Sequence, residues 1–113
     1  MEAKRKNKDF NPNNCPVTHF YNKVGGKWKT VILYAIGKNV NRFGMMQKSM
    51  PMISKQMLVN QLRELEEDQI IGRTIYAEIP PRVEYHLTEY GESFMLILYN
   101  IQDWGLKDMA AKN

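Results

Sequence analysis

A chain of 113 residues with a net charge of +4 has room for one domain and one modest core. Its single cysteine excludes an intrachain disulfide, and no apolar run is longer than Phe94 to Tyr99, which is far short of the roughly 20 residues a membrane helix needs. The first residues are basic and polar and lack the apolar segment of a signal peptide, so the expected location is the cytoplasm, with no membrane contact.

Residues 1–14, rich in Lys and Asn, read as a flexible basic tail; 15–108 form the domain and 109–113 a short C-terminal tail. Cys15-Pro16 opens the first helix, which carries Val17, Phe20, Tyr21 and Val24 and is stopped by Gly25-Gly26. The second helix spans 27–36. Trp28, Val31, Ile32, Ala35 and Ile36 recur there at i, i+3, i+4, i+7 and i+8, which predicts one buried face. After a loop at 38–41, residues 42–50 form a short helix burying Phe43 and Met46. Pro51 ends it, because the residue before a proline avoids helical geometry. Met52-Ile53 is the turn.

Ser54 caps the next helix, over 54–68. Leu58, Leu62 and Leu65 fall at steps of four and three and share one face, with Met57 at its edge. The opposite face carries Gln56, Asn60 and Arg63, with Ser54 and Lys55 at the start. These side chains hydrogen-bond base edges and phosphates. Two helices joined by a tight turn, the second polar on its outer face, make a helix-turn-helix. After Gly72 the period falls to 2: Arg73, Ile75, Ala77 and Ile79 alternate with Thr74, Tyr76 and Glu78. Pro80-Pro81 breaks the ladder. Val83, Tyr85 and Leu87 then return opposite Arg82, Glu84 and His86. Helix, strand, basic tip and strand are the back half of a winged helix-turn-helix, so the fold class is α+β, mostly α, with a two-stranded hairpin as wing.

Thr88 caps a long last helix. Phe94, Ile97, Leu98, Ile101 and Trp104 form its main stripe, while Met95, Leu96 and Tyr99 fall outside it. A helix apolar over most of its circumference needs cover on more than one side. A second subunit is the expected cover, which makes those five residues the expected dimer interface; a helix folded deep into its own core is the alternative.

Charge is segregated along the chain. The first nine residues carry a surplus of two positive charges; 10–63 hold eight basic residues and no acid; 64–113 hold ten acids against four bases. The positive front half calls for a polyanion. The expected DNA contacts are Arg42, Ser54, Lys55, Gln56, Asn60, Arg63, Pro81 and Arg82.

These residues also carry a resemblance. The segments CPV, GGKWKTVIL, RFGMMQ, LRELEEDQII and PPRVEYHLTEYG, together with the stretch from Pro51 to Leu58, are similar to those of the HxlR-type regulators. That family comprises bacterial winged-helix transcription factors related in fold to the MarR group, and the likeness runs from Cys15 to about Gly105. It implies a homodimer on a palindromic operator, with helix 54–67 in the major groove and Pro80–Arg82 as the wing tip. In some members a cysteine matching Cys15 senses oxidants or electrophiles, some of them with a second cysteine that this chain lacks.

Chemistry of other kinds finds no support. His19 and His86 are remote in sequence, with no ligand-spaced Cys/His/Asp cluster around them, and Gly25-Gly26-Lys27 lacks the rest of a P-loop. No enzyme activity, metal or cofactor is expected. Cys15 starts a helix, where the positive dipole end lowers a thiol's pKa, and a charged His19 one turn on would stabilise the thiolate. A small buried hydrophobe is the other reading of Cys15. The function expected is a homodimeric, sequence-specific regulator of transcription, a repressor, that binds double-stranded DNA and answers to an oxidant or small molecule. A winged-helix module that docks protein instead of DNA is the alternative.

Overall fold

The computed structural model describes residues 10–112. A 3-10 turn, Pro12–Asn14, leads into α1 (Pro16–Val24), α2 (Lys29–Gly37), α3 (Phe43–Ser49) and α4 (Lys55–Glu67). The hairpin β1 (Ile71–Tyr76) and β2 (Arg82–Leu87) follows, then α5 (Glu89–Lys112). This is the expected winged helix-turn-helix, mostly helical, with an antiparallel two-stranded wing. Of the tail expected over 1–14, residues 1–9 lie outside the described residues, and Asn11 caps the 3-10 turn through Asn13 N–H at 3.0 Å. The C-terminal tail expected over 109–113 is corrected as far as Lys112: nothing there breaks a helix, and α5 runs on.

One core holds the elements together. Val24 of α1, Ile32, Leu33 and Ile36 of α2, and Met46 of α3 meet Leu58, Leu62 and Leu65 of α4. Ile70, Ile71 and, from α5, Phe94, Met95 and Leu98 complete it. Each such side chain withdrawn from water contributes about 1.5–3 kcal/mol. The leucine stripe of α4 is buried throughout. The expected stripe of α2 is not: Val31 is exposed, Trp28 and Ala35 are half-buried, and Leu33, absent from the expected set, is fully buried. The α2 segment is apolar almost all round, so spacing alone does not show which side meets the core. On α1, Val17 and Tyr21 face outward and only Val24 is buried, with Phe20 half-buried.

Local hydrogen bonds explain the boundaries. Helix α4 stops where Gln69 turns left-handed at φ 61°, letting Ile70 N–H reach back to the Leu65 carbonyl at 3.0 Å. The wing pairs Ile71 with Leu87, Arg73 with Tyr85 and Tyr76 with Arg82. The alternation expected to continue through Ala77 and Ile79 ends at Tyr76, and 77–81 form the exposed tip. Tyr85 N–H donates to the Asn41 carbonyl at 2.9 Å, which ties β2 to the loop before α3. Thr88 fixes the start of α5: its hydroxyl donates to the carbonyls of Gln69 and Ile70 at 2.7 and 3.0 Å and accepts from Gly91 N–H at 3.0 Å.

Candidate nucleic-acid interface

The turn between α3 and α4 is short because Met50 and Ile53 drop into the core and Ile53 N–H donates to the Met50 carbonyl at 3.1 Å. Ser54 then caps α4, its Oγ accepting from Met57 N–H at 3.1 Å. Its hydroxyl is thereby engaged with the backbone, while Lys55, Gln56 and Arg63 are exposed and Asn60 is half-buried on the outward side. Gln56 Nε2 donates to Asn60 Oδ1 at 3.0 Å. The bond does not use the Gln56 carbonyl oxygen or the Asn60 amide N–H groups, the acceptor and donor types that an adenine edge takes.

The charge pattern changes on folding. Lys29 of the basic half pairs with Glu64 at 2.7 Å, and Arg73 pairs with Glu66 at 3.0 Å. Arg42 and Arg82, expected from sequence as DNA contacts, are both ion-paired in the folded chain. Arg42 donates from Nε and Nη2 to Glu84 Oε2 at 3.3 and 3.1 Å. Arg82 lies 3.3 Å from Glu78 and 3.7 Å from Glu84, stacked over Tyr76 with its guanidinium carbon 4.0 Å from the ring centroid. Pro81 is exposed beside it at the tip. The structure thus sets Gln56, Asn60 and Arg63 on one face of α4, with Ser54 and Lys55 at its start, and brings Arg42 and Arg82 together on Glu84. Glu84, Glu78 and Tyr76 carry no site role in the sequence reading, although alternation on β2 already places Arg82 and Glu84 on one face.

The last helix also needs a correction. Phe94 and Leu98, expected at a dimer interface, are 6% and 5% exposed and belong to the chain's own core. Ile97, Ile101 and Trp104 are 43%, 53% and 68% exposed and form the uncovered stripe. Tyr90 is exposed one turn before Phe94 on α5, and Val17 and Tyr21 are exposed on α1, whose Phe20 ring centroid is 5.8 Å from that of Phe94. Where α5 outruns α2, an apolar groove of 320 Å³ lies beside Val31, Leu106 and Met109, with the Tyr34 hydroxyl bonded to Gln102.

Cys15 is half-buried at the N-cap of α1. No cap bond of good geometry forms there, yet the N–H groups of Thr18 and Val17 point at its sulfur and hold the thiol below its ordinary pKa, against a smaller opposing effect of burial. The stabilising groups are thus chiefly the amides of Thr18 and Val17, with a smaller contribution from the Thr18 side chain. A lowered pKa means more thiolate at neutral pH. The rate of Cys15 alkylation by iodoacetamide is therefore expected to reach its half-maximum at a lower pH than that of a free cysteine peptide. A half-maximum at or above the peptide's would show the amides to be without effect.

Residues 23–113 match the model of the HxlR-like helix-turn-helix family. The chain belongs to that family. Being HxlR-like, it is an HTH-type transcriptional regulator, and the family is not one of enzymes. YdeP of Bacillus subtilis (strain 168), an uncharacterized HTH-type transcriptional regulator, is 43% identical over 93 residues, covering 82% of this chain and 73% of YdeP. The redox regulator HypR in its oxidized form superposes with a TM-score of 0.76 at 39% identity, over 82% of this chain and 96% of that one. The reduced transcriptional regulator YodB of B. subtilis gives 0.67 at 32% identity, over 80% and 89%. Among the described residues of this HxlR-like chain, no three His, Cys, Asp or Glu gather as a metal site, and no helix is long and apolar enough to cross a membrane.

Proposed function

We propose that the protein is a homodimeric repressor that binds a palindromic operator in double-stranded DNA. The observation that carries this reading is the outward face of α4. A helix capped by Ser54 and seated on three buried leucines presents Lys55, Gln56, Asn60 and Arg63 on a rigid support. In a helix-turn-helix the second helix enters the major groove with its N-terminal residues on the base edges, where Lys55 and Gln56 stand. Lys55 and Arg63 serve phosphate or guanine, Gln56 and Asn60 serve adenine, and the wing tip at Pro81 and Arg82 lies against the backbone or minor groove. Two-fold pairing through α5 would set the two α4 helices about 34 Å apart, one turn of DNA.

Selection of bound duplexes from a random pool tests this reading. A palindrome is the expected product, with log affinity falling by about 0.9 per phosphate contacted for each decade of salt. Gln56→Ala or Asn60→Ala should relax preference at particular base pairs by roughly 1–3 kcal/mol, whereas Lys55→Ala should weaken all sequences alike. No binding to any duplex would favour the protein-docking alternative.

The signal proposed is oxidation or electrophile attack at Cys15. Its lowered pKa supports this, as does the likeness to HypR, which is a redox regulator. With one cysteine in the chain, the products open to it are a Cys15–Cys15 bond between subunits, a mixed disulfide with a small thiol, or a thioether. Diamide or quinone treatment should change operator affinity in the wild type and leave Cys15→Ser unmoved; equal responses would make Cys15 structural.

A further inference from the structure

Two arginines of the proposed DNA surface share one carboxylate oxygen. Arg42 donates to Glu84 Oε2 from Nε and Nη2, and Arg82 Nε stands 3.7 Å from that oxygen, beyond hydrogen-bond reach. The fold brings them together. Arg82 and Glu84 are two apart on β2 and so share a face, and the Tyr85–Asn41 hydrogen bond lays the chain at Arg42 beside them. Tyr76 lies under the Arg82 guanidinium plane, and Glu78 forms an ion pair with its Nη1 at 3.3 Å. Arg82 Nε is buried, with no acceptor among the described residues. Both side chains are nonetheless open to solvent, at 45% and 33%. This flank of the wing therefore presents the outer N–H donors of two partly exposed guanidinium groups, with Arg82 Nε buried beneath them, yet no surplus charge: two guanidinium groups face Glu84 and Glu78.

We infer that Glu84 is a specificity-determining residue that keeps the wing from gripping DNA of arbitrary sequence. The inference rests on the DNA-binding reading above and adds how its strength is set. Loose, non-specific binding depends almost wholly on net positive charge meeting phosphate, and Glu84 lowers that charge by one unit beside two arginines. A complex locked in register by α4 is different: it can place a phosphate oxygen on the open donors at short range. Partly exposed ion pairs of this kind are weak and exchange readily for such a partner. Glu84 thus suppresses the non-specific complex more than the specific one.

The test compares wild type with Glu84→Gln, Glu84→Asp and Glu78→Gln on a labelled duplex of arbitrary sequence and on the duplex enriched from a random pool, over a salt series. Glutamine keeps an oxygen for Arg42 and removes the charge. At about 7 Å, and in a dielectric between water and protein, losing that repulsion should tighten arbitrary-sequence binding on the order of five- to tenfold. The salt slope should steepen by about 0.9. The enriched duplex should gain less, so discrimination falls. Glu84→Asp retains the charge and should keep the wild-type slope, while Glu78→Gln, which frees Arg82 alone, should give a smaller gain. Weaker binding with a shallower slope in Glu84→Gln, at an unchanged melting temperature, would make Glu84 a brace for the arginines and overturn the inference. An unchanged slope would do so as well. A wild type that binds no duplex at any salt would instead defeat the DNA-binding reading, and this inference with it.

Discussion

Gly91→Ala is expected to destabilise the protein by about 3 kcal/mol, a fall in melting temperature on the order of 15 °C. A methyl group at Gly91 would lie 2.1 Å from the Ile70 carbonyl oxygen and 3.2 Å from its carbon, and both are backbone atoms. That carbonyl cannot swing away freely, because it accepts from Thr88 N–H at 3.1 Å and from the Thr88 hydroxyl at 3.0 Å. Moving α5 back instead would stretch the bond from Gly91 N–H to Thr88 Oγ1 and draw Phe94 and Met95 out of the core. Relief by either route costs hydrogen bonds or burial. Gly44 and Gly105 sit in helices with nothing within 4 Å of the added carbon. Alanine there should be neutral or stabilise by about 0.5–1 kcal/mol, through helix propensity. Thermal denaturation of the three variants is the check. Should Gly91→Ala melt with the wild type, the close approach of α5 to Ile70 would be wrong.

The parts legible in the sequence are those where a period has only one physical reading. The steps of four and three through Leu58, Leu62 and Leu65 sit among polar residues, so the buried side of α4 and its polar face follow together. The hairpin is equally plain, since two alternating runs flank Pro80-Pro81. Legibility fails where a segment is apolar on every side. In α2, Val31 through Ile36 offers several equivalent stripes, and only packing selects Ile32, Leu33 and Ile36. The same holds on α5, where Phe94 and Leu98 share a broad stripe with Ile97 and Ile101, yet the first pair faces inward and the second outward. Ion pairs are a further blind spot. Arg42 and Glu84 are separated by 42 residues, and no local rule joins them. Counting charges by segment therefore overstated how much free positive charge the folded surface carries.

Ile101→Asp is expected to convert a dimer into a folded monomer and to lower operator affinity by about 10²–10⁴-fold. The second figure is the usual gain when one half-site contact makes the other intramolecular. Exposure argues for this outcome over simple unfolding. Ile101 is 53% exposed in the single chain, so a carboxylate there stays hydrated and costs the monomer little. At a two-fold interface the same carboxylate would be buried without a partner, in both subunits. Leu98→Asp, one turn earlier, supplies the contrast: at 5% exposure the charge enters the chain's own core and should unfold it. Ile97, Ile101 and Trp104 lie in one row on α5, and no described element of the chain covers them. Monomeric proteins rarely leave such a row of large apolar side chains to solvent. Sedimentation at micromolar concentration, with circular dichroism on each variant, separates the cases. A well-folded wild-type monomer would leave the exposed row without its proposed partner and remove the basis for a palindromic site.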